Sequence, residues 1–264
     1  MPLLKCERLV LAGDHYQLPP VVKSQEAKSG GLGITVLDRV VENDQVVALL
    51  NKQYRMNQLI MGFSNHWFYG NELTSDETVA THTLVNDEGS LLAASLEFID
   101  TAGCGYEEVQ NPETLSYSNP EEGRTVYKYL TEMLEMYGTY PSYPSLEIGV
   151  ISPYREQREW LQDHLPEQPF MATPHHHIQV KTIDGFQGEE RDVIIISMVR
   201  SNDRGDIGFL SDLRRMNVAI TRARKKLVLV GDSATIGKEP FYRELLEYCE
   251  KNGVYRTAWE FMNS

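Results

Sequence analysis

Short apolar runs recur along the chain, each closed by a polar turn. "LEFID" (Leu96–Asp100), "EIGVIS" (Glu147–Ser152), "IQVKT" (Ile178–Thr182), "VIIISMV" (Val193–Val199) and "KLVLVGD" (Lys226–Asp232) are rich in Val and Ile. Several are apolar at consecutive positions, as strands covered on both faces should be. "RLVLAGD" (Arg8–Asp14) reads the same way and ends in a Gly-Asp turn. Helix-like spacing fills the intervals: Asn57–Tyr69, Pro120–Tyr137, Tyr154–Leu165, Leu210–Ala219 and Pro240–Lys251. The first of these carries an apolar stripe through Ile60, Phe63 and Trp67. Strands alternating with helices predict an α/β fold, a mainly parallel sheet with helices on both faces. Ligands in such sheets bind at the carboxyl ends of the strands. Two turn-rich stretches, Gly103–Gly123 and Glu167–His177, predict surface loops.

Composition narrows the classes. With 264 residues the chain can form one large α/β domain or two small ones. A formal net charge of -13 argues against a protein coated in nucleic-acid contacts, yet leaves room for a local basic groove. Basic residues do outnumber acidic ones between Lys181 and Lys226, most densely in "RRMNVAITRARKKLVLVG". A helix leading into a buried strand often carries a solvated basic face, so this cluster alone assigns nothing. Cys6, Cys104 and Cys249 form no CxxC pair, which predicts a reduced, cytoplasmic protein. No apolar run approaches the roughly 20 residues that span a bilayer, so no membrane partner is expected. The His175–His177 run lacks a matching carboxylate or Cys pattern, and neighbours on an extended run point to opposite faces. No metal site is expected there.

Four segments carry chemistry. In "LVLAGDHYQLPP" (Leu9–Pro20), Gln17 sits in a turn fixed by Pro19 and Pro20. A neutral amide that donates and accepts can touch a terminal phosphate or a water and report which is present. "NKQYRMNQLIMGFSNHWFYGNEL" (Asn51–Leu73) places Tyr54 and Arg55 before a helix. In "VKTIDGFQGEERDVIIISMVRS" (Val180–Ser201), Gly188 lets backbone approach a ligand closely. The fourth is the basic cluster itself. "SPY" (Ser152, Pro153, Tyr154) and Thr182 lie at expected strand ends, where hydroxyls and backbone N–H groups can bind phosphates.

Together and in this order, GDxxQLPP, QYRM, DGFQGxExD and RRxNVAxTRAR resemble the superfamily-one helicases. The similarity is to the branch of the nonsense-mediated-decay RNA helicase and the immunoglobulin-mu-binding helicase. "ISPYREQ" and "SNPEEG" also look like that branch, and the resemblance runs from about Arg8 to about Glu260. It implies a RecA-like P-loop NTPase fold, ATP and Mg2+ as cofactors, 5′ to 3′ travel, and single-stranded DNA or RNA as partner. By the same resemblance Arg222 and Arg55 match arginines that reach the γ-phosphate, and Gln17 matches its sensor. Tyr54 matches the residue stacked on adenine and Glu190 the glutamate at the ribose or nucleotide edge; Gly188, which lets backbone approach closely, is the third candidate contact with the nucleotide. Ser152, Pro153, Tyr154 and Thr182 would hold the strand. Arg224, Lys225 and Lys226 are expected to make local charge pairs or a solvated surface.

One departure is large. The sequence contains no GxxxxGK[ST] loop; its only Gly-Lys, Gly237-Lys238, continues with Glu239. The expected organisation is therefore 1–45 as a remnant of a first RecA-like lobe and linker, and 46–264 as an entire second lobe. The first lobe would be supplied in cis or trans, and the chain alone would not hydrolyse ATP. Two other readings stay open: a non-enzymatic module binding nucleic acid or a helicase partner, and a metal-dependent hydrolase using Asp184, Glu189, Glu190 and His175–His177.

Overall fold

The computed structural model describes residues 7–19, 22, 24–41, 47–85, 94–138, 144–172 and 175–262. The chain divides into two compact units, Met1–Leu50 and Asn51–Ser264.

In the first unit the stretch expected as a strand, Arg8–Asp14, is irregular. Leu9, Val10 and Leu11 are exposed, Val10 by 93%. The apolar pattern suits a buried strand, but a strand needs a ladder partner for its N–H and C=O groups. Among the described residues none pairs with this run. Downstream, Thr35 and Asp38 form a reciprocal cap that starts the short helix Val36–Val40.

The second unit is built on six parallel strands: β1 (Leu96–Asp100), β2 (Glu147–Ser152), β3 (His177–Thr182), β4 (Arg191–Ser197), β5 (Ala223–Gly231) and β6 (Val254–Thr257). Their order is β6-β1-β5-β4-β2-β3. Five of these were expected; β6 was not, because Val254–Thr257 is short and half exposed, as an edge strand can be. The main helices are α1 (Gln58–Phe68), α2 (Pro120–Tyr137), α3 (Arg155–His164), α4 (Leu213–Ile220) and α5 (Pro240–Asn252). The helix expected over Leu210–Ala219 is split. A tight turn at Gly208–Ser211 precedes α4, whose start is set by Asp212 accepting from the Arg215 N–H.

Strand periodicity sorts the core onto two faces. Val193, Ile195, Val228 and Val230 join Val126, Leu130 and Met133 of α2 and Leu161 of α3 in one buried cluster. Ile194, Ile196, Leu227 and Leu229 point the other way and are equally buried. On that side Phe63 and Trp67 of α1 pack edge-on against Phe241 of α5. The second unit is thus the α/β, mainly parallel sheet that the pattern predicted, with the RecA-like fold that the resemblance implied. The long loop Gly103–Gly123 contains a two-residue antiparallel ladder, Val109–Gln110 with Tyr117–Ser118, and yields to α2 at Pro120. Among the described residues no helix is long and apolar enough to cross a membrane.

Candidate functional site

Three separate motifs converge at the amino ends of β4 and β5. The first is folded by Gln53. Its Oε1 accepts from the N–H groups of Arg55 and Met56, while its Nε2 donates to Met56 O and Ser75 Oγ. This turn leaves Tyr54 65% exposed. It also aims Arg55 at the second motif: Arg55 Nε lies 2.6 Å from Glu190 Oε2. Arg55 Nη1 then donates to the Thr221 carbonyl at 3.1 Å, in the third motif. Asn57 N–H bonding to Arg224 O at 2.8 Å ties the first and third motifs through backbone.

Arg222 sits between them and is 3% exposed. Its Nε donates to Val218 O at 3.0 Å, Nη1 to Glu189 O at 3.1 Å and Nη2 to Thr221 Oγ1 at 3.4 Å. Its partners are neutral oxygens, so burial, followed by the nearby Arg55 charge, lowers its pKa to about 10. The hydrogen bond from Arg55, opposed by partial burial, holds the Glu190 carboxyl below its ordinary range. Arg224 Nη1 approaches the other Glu190 oxygen at 3.5 Å. Gly188 has φ +79, and a Cβ there would meet nothing within 4 Å, so its requirement is conformational and its surroundings are open.

The rest of the basic cluster is paired. Arg224 Nη2 and Lys225 Nζ both reach Asp192, at 3.0 and 3.1 Å, beside a register shift between β4 and β5. Of the two roles expected for Lys226, a local charge pair or a solvated surface, it takes up a charge pair, but with a residue distant in sequence and in the interior. It is 1% exposed, 3.0 Å from the equally buried Glu97, and donates to Ala94 O at 2.8 Å. Position 226 opens the continuously buried part of β5, and a lysine fits there only with a charged partner.

Strand-end residues lie at the opposite, carboxyl end of the sheet. Ser152 and Thr182 are register partners at the tips of β2 and β3. Ser152 is fully buried and its Oγ accepts from Tyr154 N–H, so its hydroxyl faces the interior. Tyr154 is 1% exposed; its ring is structural, and its Oη donates to Ile207 O. Pro153 and Thr182 are half-buried. Exposed chemistry at "SPY" therefore resides in Pro153 and backbone rather than in the Ser152 and Tyr154 side chains.

Gln17 belongs to the first unit. Its Nε2 donates to Asp14 Oδ2 at 3.0 Å and its N–H to Asp14 O, closing the turn; Pro20 lies outside the described residues. The carboxylates of the hydrolase reading are each engaged by cations. Asp184 faces Arg215, Glu189 binds Lys181 and Arg191, and Glu190 binds Arg55 and Arg224. His176 Nδ1 accepts from Leu146 N–H, and burial, with its histidine neighbours, lowers its pKa to about 4. Among the described residues no three His, Cys, Asp or Glu side chains gather as metal ligands.

Sequence reasoning missed Gln53, although it is the first letter of QYRM, and missed the buried group around Arg200. Arg200 is 1% exposed, with Glu108 at 2.8 Å and the Tyr117 ring centroid at 4.3 Å. Only the threefold polarity of "RSN" after a long apolar run hinted at it.

A family model described as an AAA domain matches residues 32–234. DNA-binding protein SMUBP-2 of Mesocricetus auratus is 36% identical over 269 residues, covering 100% of this chain and 26% of its own length. DNA polymerase alpha-associated DNA helicase A of Saccharomyces cerevisiae is 36% identical over 266 residues, 94% of this chain and 38% of its own. Regulator of nonsense transcripts 1 homolog of Neurospora crassa is 34% identical over 245 residues, 92% and 22% respectively. The chain thus spans well under half the length of these relatives. These relatives match the chain over nearly its whole length, and the family model covers most of it: the chain belongs to the AAA-domain family.

Proposed function

We propose that this chain is the second RecA-like lobe of an ATP-dependent 5′ to 3′ helicase acting on DNA or RNA, with residues 1–45 contributing to a first lobe and its linker. The observation that carries this reading is the convergence of Arg55, Glu190 and Arg222 from three distant motifs at one end of the sheet. The residues fit one side of a nucleotide. Tyr54 offers an exposed ring, Glu190 a carboxylate for ribose hydroxyls, and Gly188 open backbone. Bound ATP would supply a γ-phosphoryl group whose charge spreads over its oxygens, which a guanidinium fork matches. Arg55 and Arg222 would provide that fork. Arg222 must first leave its carbonyl partners, which hold it buried in this state.

Gln17 would sense the γ-phosphate. The phosphate loop and the magnesium carboxylates would come from a first lobe, in cis or trans, so the chain alone should not turn over ATP. Pro153, the backbone at Ser152 and Tyr154, and Thr182 would touch phosphates of a single strand. Such contacts carry little sequence information. Buried free thiols at Cys104 and Cys249 suit a reduced, cytoplasmic setting. A non-enzymatic module is the second reading; the pairing of Arg55 with Glu190 favours the helicase lobe over it.

The test is steady-state ATPase at saturating single strand, with the chain joined to a first lobe. Arg222→Ala and Arg222→Lys should both lose most of the ~10³–10⁵ that such an arginine contributes. Lysine keeps charge without the planar fork. Lys225→Ala should cost little. Near-normal turnover for Arg222→Lys, or equal losses at Lys225, would refute the assignment.

A further inference from the structure

The segment that follows β4 is held with unusual rigidity. Val199 adopts φ 73, a left-handed conformation that β-branched residues avoid. Glu122 fixes it there, accepting its N–H at 2.9 and 3.1 Å. Arg200 is pinned by Glu108 and by Asp206 at 3.1 Å. Ser201 N–H and Asn202 Nδ2 also donate to Glu108, and Asn202 exchanges two hydrogen bonds with Asp206. Gly208, at φ +50, admits no side chain: a Cβ would fall 2.1 Å from Arg200 Nη1 and 2.6 Å from Tyr154 Oη.

All of this ends in one exposed ring. Phe209 donates its N–H to Tyr154 Oη at 3.1 Å and meets the Tyr154 ring edge-on at 5.6 Å. Its neighbours Ile207 and Leu210 are buried, yet Phe209 is 55% exposed. Restrained backbone of this kind clusters where a side chain must be presented. The ring stands against Tyr154, directly after Ser152 and Pro153 at the carboxyl end of the sheet.

We propose that Phe209 is a base-stacking residue for single-stranded nucleic acid, resting on the strand-binding reading given under Proposed function. Phosphate contacts at a strand end together with one rigid aromatic face are what sequence-tolerant single-strand binding requires, since every base has a π-face. Arg200, held between Tyr117 and Tyr154 at 4.3 and 5.9 Å from their centroids, backs the platform from the inside.

The test uses this chain and two labelled probes of equal length, oligothymidylate and a fully abasic oligonucleotide, read by fluorescence anisotropy. Phe209→Ala keeps the N–H that Tyr154 accepts and removes only the ring. It should weaken oligothymidylate binding about 5- to 150-fold, the range of one base stack. The dependence of log affinity on log salt should not change, and abasic binding should stay at wild-type strength. Phe209→Trp should retain affinity, and Phe209→Leu, apolar without a π-face, should behave like the alanine variant. Unchanged oligothymidylate binding by Phe209→Ala, as a protein-docking role would give, overturns the proposal. So does an equal loss on both probes. If wild type binds neither probe at low salt, the strand-binding reading falls and this proposal with it.

Discussion

Replacing Glu122 with glutamine should flatten the dependence of stability on pH. Glu122 is 0% exposed in the first turn of α2, where it accepts from Ser197 Oγ at 2.6 Å as well as from Val199 N–H. Burial pushes its carboxyl up to about 8, against the downward pull of the Ser197 and Val199 hydrogen bonds. In the unfolded chain it returns to about 4.5. Between those values the native state holds a proton that the unfolded state has lost. The resulting stabilisation is complete below about 4.5 and is lost as pH rises through about 8. At about 1.36 kcal/mol for each pH unit, the loss sums to about 5 kcal/mol. Glutamine has the same shape and no titration, so any cost of its extra amide donor is a constant offset. His176 tilts the profile the other way, because its half-buried ring stays neutral down to about pH 4 while the unfolded chain takes up a proton below about 6.5, but it is common to both proteins. The informative quantity is therefore the difference between variant and wild type in urea-unfolding free energy, from about pH 5 to about pH 9. That difference should move by several kcal/mol in favour of glutamine as pH rises. Parallel curves would refute the reasoning, because they would mean that Glu122 stays ionised throughout.

Lys226→Met should destabilise the chain by about 3 kcal/mol, the low end for breaking a buried pair, since the buried Glu97 carboxylate loses its nearest cation but keeps Arg256 at 3.6 Å and the Tyr129 hydroxyl at 2.8 Å. Adding Glu97→Leu should recover part of that loss in denaturant unfolding, and a double variant as unstable as the sum of the singles would contradict it. Gly208→Ala should cost at least about 1–2 kcal/mol from its left-handed backbone alone. It should also lower oligothymidylate affinity by disturbing Tyr154 beneath Phe209; a wild-type melting curve with unchanged binding would rule this out.

What the sequence revealed depended on whether a signal was local. Helix α2 could be read at both ends, because Asn119 caps it, Pro120 occupies its first turn and Gly138 follows it. The buried strands were readable from runs of Val and Ile. Arg8–Asp14 has the same apolar run and pairs with no strand among the described residues, because pairing is a property of neighbours that the run itself does not encode. At the site, the family resemblance grouped Arg55, Glu190 and Arg222, whereas for Lys226 charge alone left a local pair and a solvated surface both open. Its partner Glu97 lies on a different strand, and nothing near position 226 announces it. Ser152 and Tyr154 were correctly placed at a strand end, but which way a side chain turns there is decided by Tyr154 packing under a loop more than fifty residues downstream.

The two groups of proposed site residues lie towards opposite ends of the same sheet, and β4, seven residues long, runs between those ends. At about 3.3 Å per residue that strand is an arm of about 20 Å. A close-packed parallel sheet does not bend appreciably, so displacement at one end reaches the other as rotation of the whole body. Tilting such an arm by about ten degrees carries its far tip about 3.5 Å, close to the ~3.4 Å spacing of bases along one strand. Under the proposed reading, the strand length would set a gear ratio: modest closure at Arg55 and Arg222 would advance Thr182 and Phe209 by about one base.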